Sequence, residues 1–231
     1  MKLLNLIKSI TVLGLVLSGS ALAQDEMQSP RAAAPIDLSG YWTTVITEDW
    51  RWRMVTPPKS DYVSLPLNDE GRRVGDLWDP QRDADSCKAY GAGNVMRMPI
   101  RVNISWEDDN TLRLDTDHGM QTRRFHFNAS EAMSSGRSLQ GDSVASWEGA
   151  SLKVVTRNLS AGYIRRNGAP YSENAVVTEY FNRHNAYGEE WFTVSVIVED
   201  PQYLSEPYFT SSSFKVLEDD REWNPLACNQ D

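Results

Sequence analysis

The sequence predicts an all-β domain, most simply a single antiparallel up-and-down barrel, with a two-sheet sandwich as the alternative. Three observations point there. Nine short β-type runs follow one another along the chain after residue 40. Turn-forming stretches separate many of them: "EDDN" (107–110), "DHGM" (117–120), "EGA" (148–150), "NAYGE" (185–189) and "DPQYLSEP" (200–207). Several runs also alternate apolar and polar residues with period two, which gives each strand one core face and one mixed face.

The elements can be taken in order. Lys2 and Lys8, an apolar run from Ile10 to Leu17 and the small residues Ala21-Leu22-Ala23 read as a secretory signal peptide over 1–23. The apolar run is too short for a membrane span, so the mature chain is expected to be soluble, secreted or periplasmic, without membrane insertion. Residues 24–36, "QDEMQSPRAAAPI", are polar, alanine-rich and carry two prolines, and read as a disordered leader. The β domain then covers 37–231.

Strands are expected at 41–55, 100–106, 111–117, 121–127, 143–148, 151–157, 175–183, 190–199 and 208–216. In 100–106, Ile100, Val102, Ile104 and Trp106 share one side; in 190–199, Phe192, Val194, Val196 and Val198 do so. Eight or nine strands adjacent in sequence close readily into a barrel. The one helix-like spacing is 67–79, with Leu67, Val74, Leu77 and Trp78 on one side.

Charge narrows the function. Removing Lys2 and Lys8 from 23 basic residues leaves 21 against 32 acidic ones, a net charge of −11 for the mature chain. Such a chain is repelled by phosphate backbones, so nucleic acid is not an expected partner. The two cysteines, Cys87 and Cys228, both lie in the exported part, where one disulfide is the expected state. No metal-ligand spacing, P-loop, dinucleotide fingerprint or nucleophile elbow occurs, and neither a cofactor nor a metal is expected.

Candidate chemistry rests on side-chain facing. In a strand over 41–55, Glu48 shares its face with Trp42, Ile46, Trp50 and Trp52. An acid on an apolar inward face is desolvated, which raises its pKa and suits it to proton transfer. Glu179 shares a face with Ala175, Val177 and Phe181, and Glu199 ends the strand 190–199. Of the adjacent pair Arg123 and Arg124, Arg123 lies on the side of Phe125 and Phe127. It is therefore the expected buried partner of a carboxylate, either as a structural ion pair or in ligand binding. His126, inside "RRFHF", is the one histidine expected to face across a sheet, whereas His118 and His184 sit in turns or at strand ends. Arg97 is placed at a pocket mouth, and Trp50, Trp52 and Tyr180 are the aromatic contacts expected for a ligand.

Two resemblances add to this reading. "DLSGYWTT" (37–44) resembles the Gly-x-Trp opening of lipocalin-type (calycin) barrels, in which the Trp plugs the closed end. "GDSVASWEGASLKVVTRNL" (141–159), "GAPYSENAVVTEYFNR" (168–183), "VSVIVEDPQYLSEPY" (194–208) and "QTRRFHF" (121–127) resemble a large group of secreted bacterial proteins. Some of that group resemble cofactor-independent enzymes that cleave β-aryl ethers of lignin-derived phenols. The positions matched are Arg123, Trp147, Glu148, Glu179, Glu199 and Asp200.

The resulting expectation is a secreted, cofactor-independent, hydrolytic enzyme acting on an aromatic small molecule. Glu48 or Glu179 would protonate the leaving oxygen, Glu199 or His126 would activate water or deprotonate a phenol, and Arg123 would steady the phenolate. Trp50 and Trp52 would stack on the ring. The alternative is a lipocalin-like carrier that binds an apolar or aromatic ligand without chemistry. A protein whose charge pairs only stabilise the barrel is the third reading.

Overall fold

The computed structural model describes residues 28–83 and 87–228. Nine strands close a barrel in the order β1-β11-β10-β9-β6-β5-β4-β3-β2. They are β1 (Gly40–Val45), β2 (Arg101–Trp106), β3 (Thr111–Thr116), β4 (Thr122–His126), β5 (Asp142–Glu148), β6 (Ser151–Arg157), β9 (Val176–Ala186), β10 (Glu189–Glu199) and β11 (Tyr208–Leu217). The all-β barrel expected from the sequence is therefore present. β7 (Gly162–Arg165) and β8 (Ala169–Tyr171) form a separate hairpin that no alternation had marked. Among the described residues α-helix is confined to three short pieces, α1 (Trp50–Arg53), α2 (Asp69–Gly75) and α3 (Ala129–Ala132), with two 3₁₀ turns at Lys88–Tyr90 and Val95–Arg97.

The topology departs from a pure up-and-down meander at one seam. β4 and β5 pair in parallel, through Phe125 with Ser143 and His126 with Val144. The 15 residues from Phe127 to Gly141, including α3, carry the chain back to the starting end before β5 begins, which a tight hairpin could not do. The insertion of β7 and β8 between β6 and β9 leaves the last two antiparallel neighbours.

The interior follows the predicted faces. Ile104, Leu112, Leu114, Phe125, Leu152, Val154, Val177, Phe181, Phe192, Val194 and Phe214 are all buried. Rings fill the lumen: Trp42 meets Phe192 edge-on at 5.0 Å, Phe192 stacks on Phe214 at 4.6 Å, and Phe181 bridges Phe192 and Phe125 at 5.9 and 5.7 Å. The Trp42 indole N–H donates to the Leu38 carbonyl at 2.9 Å, which satisfies its only polar atom in the core.

Two expectations at the N-terminal side change. The signal peptide lies outside the described residues, as do 24–27 of the leader. Residues 28–36 are anchored, not free: Arg31 N–H donates to the Asp109 carbonyl at 3.1 Å, Pro30 accepts from the Trp147 indole at 2.8 Å, and Ile36 packs on the core. The second change is the strand over 41–55, which stops at Val45. Asp49 takes a left-handed conformation (φ 52°), and Trp50–Arg53 close one helical turn behind it.

At one end the barrel is capped. The antiparallel registers bring the exits of β1, β6 and β10 to the same end, so the segments 46–100, 158–175 and 200–207 all leave there. Cys87 and Cys228 form a disulfide that ties this cap to the C-terminal strap, as expected. The strap is also paired to the turn after β3, where Gly119 N–H donates to Leu226 and Leu226 N–H to Asp117. Among the described residues no helix is long and apolar enough to cross a membrane.

Candidate functional site

Of the predicted site residues, Arg123 and Glu179 meet inside the barrel. Both side chains are 0% exposed, and the guanidinium forks onto the carboxylate with Nη1–Oε1 at 2.8 Å and Nη2–Oε2 at 2.5 Å. The strand parity of β4 and β9 aims both inward, across the span of β5 and β6. Thr156 accepts a longer bond from Arg123 at 3.4 Å and exchanges one with Ser143 at 2.8 Å. Nearby, burial pushes the Tyr171 phenol well above its ordinary range, with Arg123 pulling the other way. This carboxylate has both oxygens committed to a cation and is sealed from solvent.

The other predicted residues are not brought to that pair. Glu48 lies at the surface with its side chain 43% exposed, ion-paired to Arg53 and bonded by the Thr47 hydroxyl. The inward, desolvated placement expected of it is corrected, because β1 ends three residues earlier and the chain turns outward. Glu199 is exposed on the outer face, opposite in parity to buried Val198. His126 also points outward, between strands, with Nδ1 3.3 Å from the Thr111 hydroxyl. Tyr180 stands on the outer face beside Glu179, under the Lys153 ammonium at 5.6 Å. Trp50 is 67% exposed.

Three further residues of the stretches that carry the resemblance, Asp200, Trp147 and Glu148, make structural contacts. Asp200 is buried and accepts from the Ser172 N–H at 2.6 Å, the Ser172 hydroxyl at 2.8 Å and the Gln202 N–H at 3.0 Å, joining β8 to the turn after β10. Trp147 packs on Phe127 at 5.3 Å, and Glu148 pairs with Lys153 at the surface.

A second constellation forms in the cap, and it contains Arg97 and Trp52. A narrow cleft with about 10 Å³ of free space is lined by Trp52, Arg53, Asn94, Arg97, Met98, Ile164, Arg165 and Arg166. Arg53, Arg97 and Arg165 are all buried. Arg53 Nε donates to the Arg97 carbonyl at 3.0 Å; Arg165 donates to the carbonyls of Asp61 and Val63 at 3.1 and 2.9 Å; Arg166 donates to the Arg53 carbonyl at 2.5 Å. Arg97 reaches Asp49 at 2.9 Å and the Thr210 hydroxyl. The Trp52 indole N–H donates to Asp61 at 3.2 Å, and the guanidiniums of Arg165 and Arg51 lie over its ring at 5.1 and 5.4 Å.

The electrostatics of this cluster are strained in one direction. Burial lowers the pKa of Arg53, and the charge of Arg97 lowers it further, with Glu48 and Asp49 opposing. Burial likewise lowers Arg165; Tyr208 opposes and Arg97 adds to the effect. At Asp61, burial acts upward but is outweighed by the Trp52 indole, the Val63 N–H, Arg51 and Arg165, which hold it below the usual carboxylate range. Cations brought together out of water need anions to face them.

Sequence reasoning reached Arg97 and Trp52 but missed Arg53, Arg165 and Arg166. Two short stretches carried the available signal: "WRWR" (50–53) and "YIRRNG" (163–168), each an arginine-bearing run of aromatic or apolar residues. Comparison with known proteins returns no matching family model, no similar curated protein and no similar solved structure.

Proposed function

We propose that the protein is an exported small-molecule binding module, the carrier alternative, and that it takes an aromatic ligand at the capped mouth of the barrel. The observation that carries this reading is Trp52, half-buried at the edge of a cleft backed by Met98 and Ile164 and flanked by guanidiniums. Small-molecule sites combine aromatic or apolar surface with a few convergent polar groups, and Trp52 supplies the first beside the second. Export is supported by the Cys87–Cys228 disulfide, which persists in oxidising compartments. The interior position of Trp42 supports the lipocalin-type resemblance of residues 37–44.

Hydrolysis of an aryl ether has less support. A general acid must reach the leaving oxygen, and neither carboxylate proposed for that work is placed to do so: Glu179 is sealed on Arg123 and Glu48 is paired at the surface, while Glu199, proposed to activate water, faces outward.

The test is a fluorescence titration of the purified protein with a panel of aryl ethers and methoxylated phenols, followed by chromatography of each mixture. Saturable quenching that Trp52→Ala removes and Trp50→Ala leaves intact supports the carrier reading, provided the ligand is recovered unchanged. Appearance of cleavage products would return the protein to the hydrolases.

A further inference from the structure

The cap arginines come from segments distant in sequence: Arg53 from α1, Arg97 from the 3₁₀ turn before β2, and Arg165 and Arg166 from the β7–β8 hairpin. They gather in a chain whose net charge is −9, so their convergence is local and runs against the overall field. The carboxylates seen facing them are Glu48 and Asp49 on one turn, and Asp61, which is ion-paired to Arg51 and whose charge also acts on Arg165.

The decisive atom is Nη2 of Arg53. The side chain is 1% exposed, yet Nη2 has no hydrogen-bond partner among the described residues. A buried, charged donor left unpaired is costly, and a functional role is a standing explanation for one. Its neighbour Nη1 carries only one oxygen of Glu48, from an acid that is itself half in solvent. Glu48 therefore occupies half of a fork that a free carboxylate could fill with two parallel bonds. The companion contact, Asp49 to Arg97, comes from the same outward turn, with Asp49 42% exposed and left-handed.

We propose that the cluster is an organic-anion site. Resting on the small-molecule reading above, it specifies the ligand as an aromatic or apolar body ending in a carboxylate, the carboxylate seated on the Nη1–Nη2 fork of Arg53. The Glu48–Asp49 turn is the protein's own occupant of that position. It withdraws when the ligand enters, which is how a cleft with about 10 Å³ of free space admits a larger group. Apolar side chains stand close to the cluster along the chain. Exposed Met54 follows Arg53, and exposed Val63 supplies a carbonyl that accepts from Arg165. These suit the body of such a ligand.

The experiment compares 4-methoxybenzoate with its methyl ester, which is equal in ring chemistry but uncharged, by calorimetric titration of the disulfide-bonded protein at two salt concentrations. The benzoate should bind at least about tenfold tighter than the ester, with a preference that shrinks as salt rises. Arg53→Met should abolish the preference while ester binding persists. Glu48→Gln, a change at a half-exposed side chain, removes the competing carboxylate and should tighten the benzoate several-fold without changing the ester. Equal affinity for the two probes, or an unchanged benzoate affinity in Glu48→Gln, overturns the anion site and leaves the small-molecule reading standing. Binding of neither probe overturns both.

Discussion

Arg123 on β4 holds Glu179 on β9 through two parallel hydrogen bonds, 2.8 and 2.5 Å long, with neither side chain touching solvent. The pair sits within an interior otherwise dominated by rings and aliphatic chains, and Arg123 also lies over the Phe125 ring at 4.9 Å. Its position bears on folding first. Desolvating two charges offsets much of their attraction, whereas stranding either one leaves the full cost.

Breaking this pair from one side should therefore be severe. Glu179→Gln or Arg123→Met is expected to lower unfolding free energy by about 3–5 kcal/mol. The double change Arg123→Met with Glu179→Leu should cost much less than the sum. Urea denaturation of the three variants gives the coupling; additive losses would show that the two charges do not act as a unit.

The aromatic lumen predicts a second large loss. Phe192 touches Trp42, Phe181 and Phe214, so Phe192→Ala removes the ring through which three others meet. A loss of about 3–5 kcal/mol is expected by thermal or urea unfolding. Phe209→Ser, on the exposed side of β11, should stay within about 0.5 kcal/mol.

Reduction of the Cys87–Cys228 bridge opens a loop of sequence separation 141. Loop-closure entropy for such a length is about 4–5 kcal/mol. Denaturant titrations with and without a phosphine reductant should differ by that order. A difference under about 1 kcal/mol would mean that the strap pairing at Asp117, Gly119 and Leu226 holds the C-terminus without the covalent link.

Alkaline pH should loosen the cap at a definite place. Burial, with Asp76 adding to it, pushes the Tyr62 phenol from 10.0 up to about 12. A folded-state value above the unfolded one means that this contribution is whole below pH 10 and is lost as pH rises towards 12. Stability of the wild type should fall across that window. Tyr62→Phe should show a shallower fall, although Tyr163 and Tyr171, also raised, keep part of the slope. Identical slopes in the two proteins would remove Tyr62 from the account.

Much of this architecture could be read from period-two alternation. The inward sides of β2 and β10 were visible because apolar residues recur at every second position, with Arg101, Asn103 and Ser105 between them on β2 and a mixed set on β10; on β9 the same parity carries Glu179 inward beside Val177 and Phe181. The same parity, applied without exception, also fixes which neighbours must point away. With Glu179 inward, Tyr180 is outward; with Val198 inward, Glu199 is outward; with Arg123 and Phe125 inward, His126 is outward. Expecting all of them at one site broke that rule.

The stretch 46–55 shows where alternation misleads. "WRWRM" (50–54) alternates apolar and basic residues throughout, and "WRWR" also suits one helical turn with basic residues at its end. Local pattern cannot choose between them, because the choice was made by where the sheet ends and by the salt links of Glu48 to Arg53 and Asp49 to Arg97.

By itself, then, the sequence determined where the barrel strands lie, short of the β7–β8 hairpin and the true end of β1, which faces of β2 and β10 turn inward, and that Arg123 would seek a buried acid, since each of these depends on neighbours two residues apart. Closure of the barrel decided the rest. Only when the exits of β1, β6 and β10 meet at one rim do Arg53, Arg97 and Arg165 come within reach of one another. Contacts between residues 44 to 112 positions apart leave no periodic trace in the chain, because they are set by the geometry of the closed end and not by the spacing of side chains along any one strand.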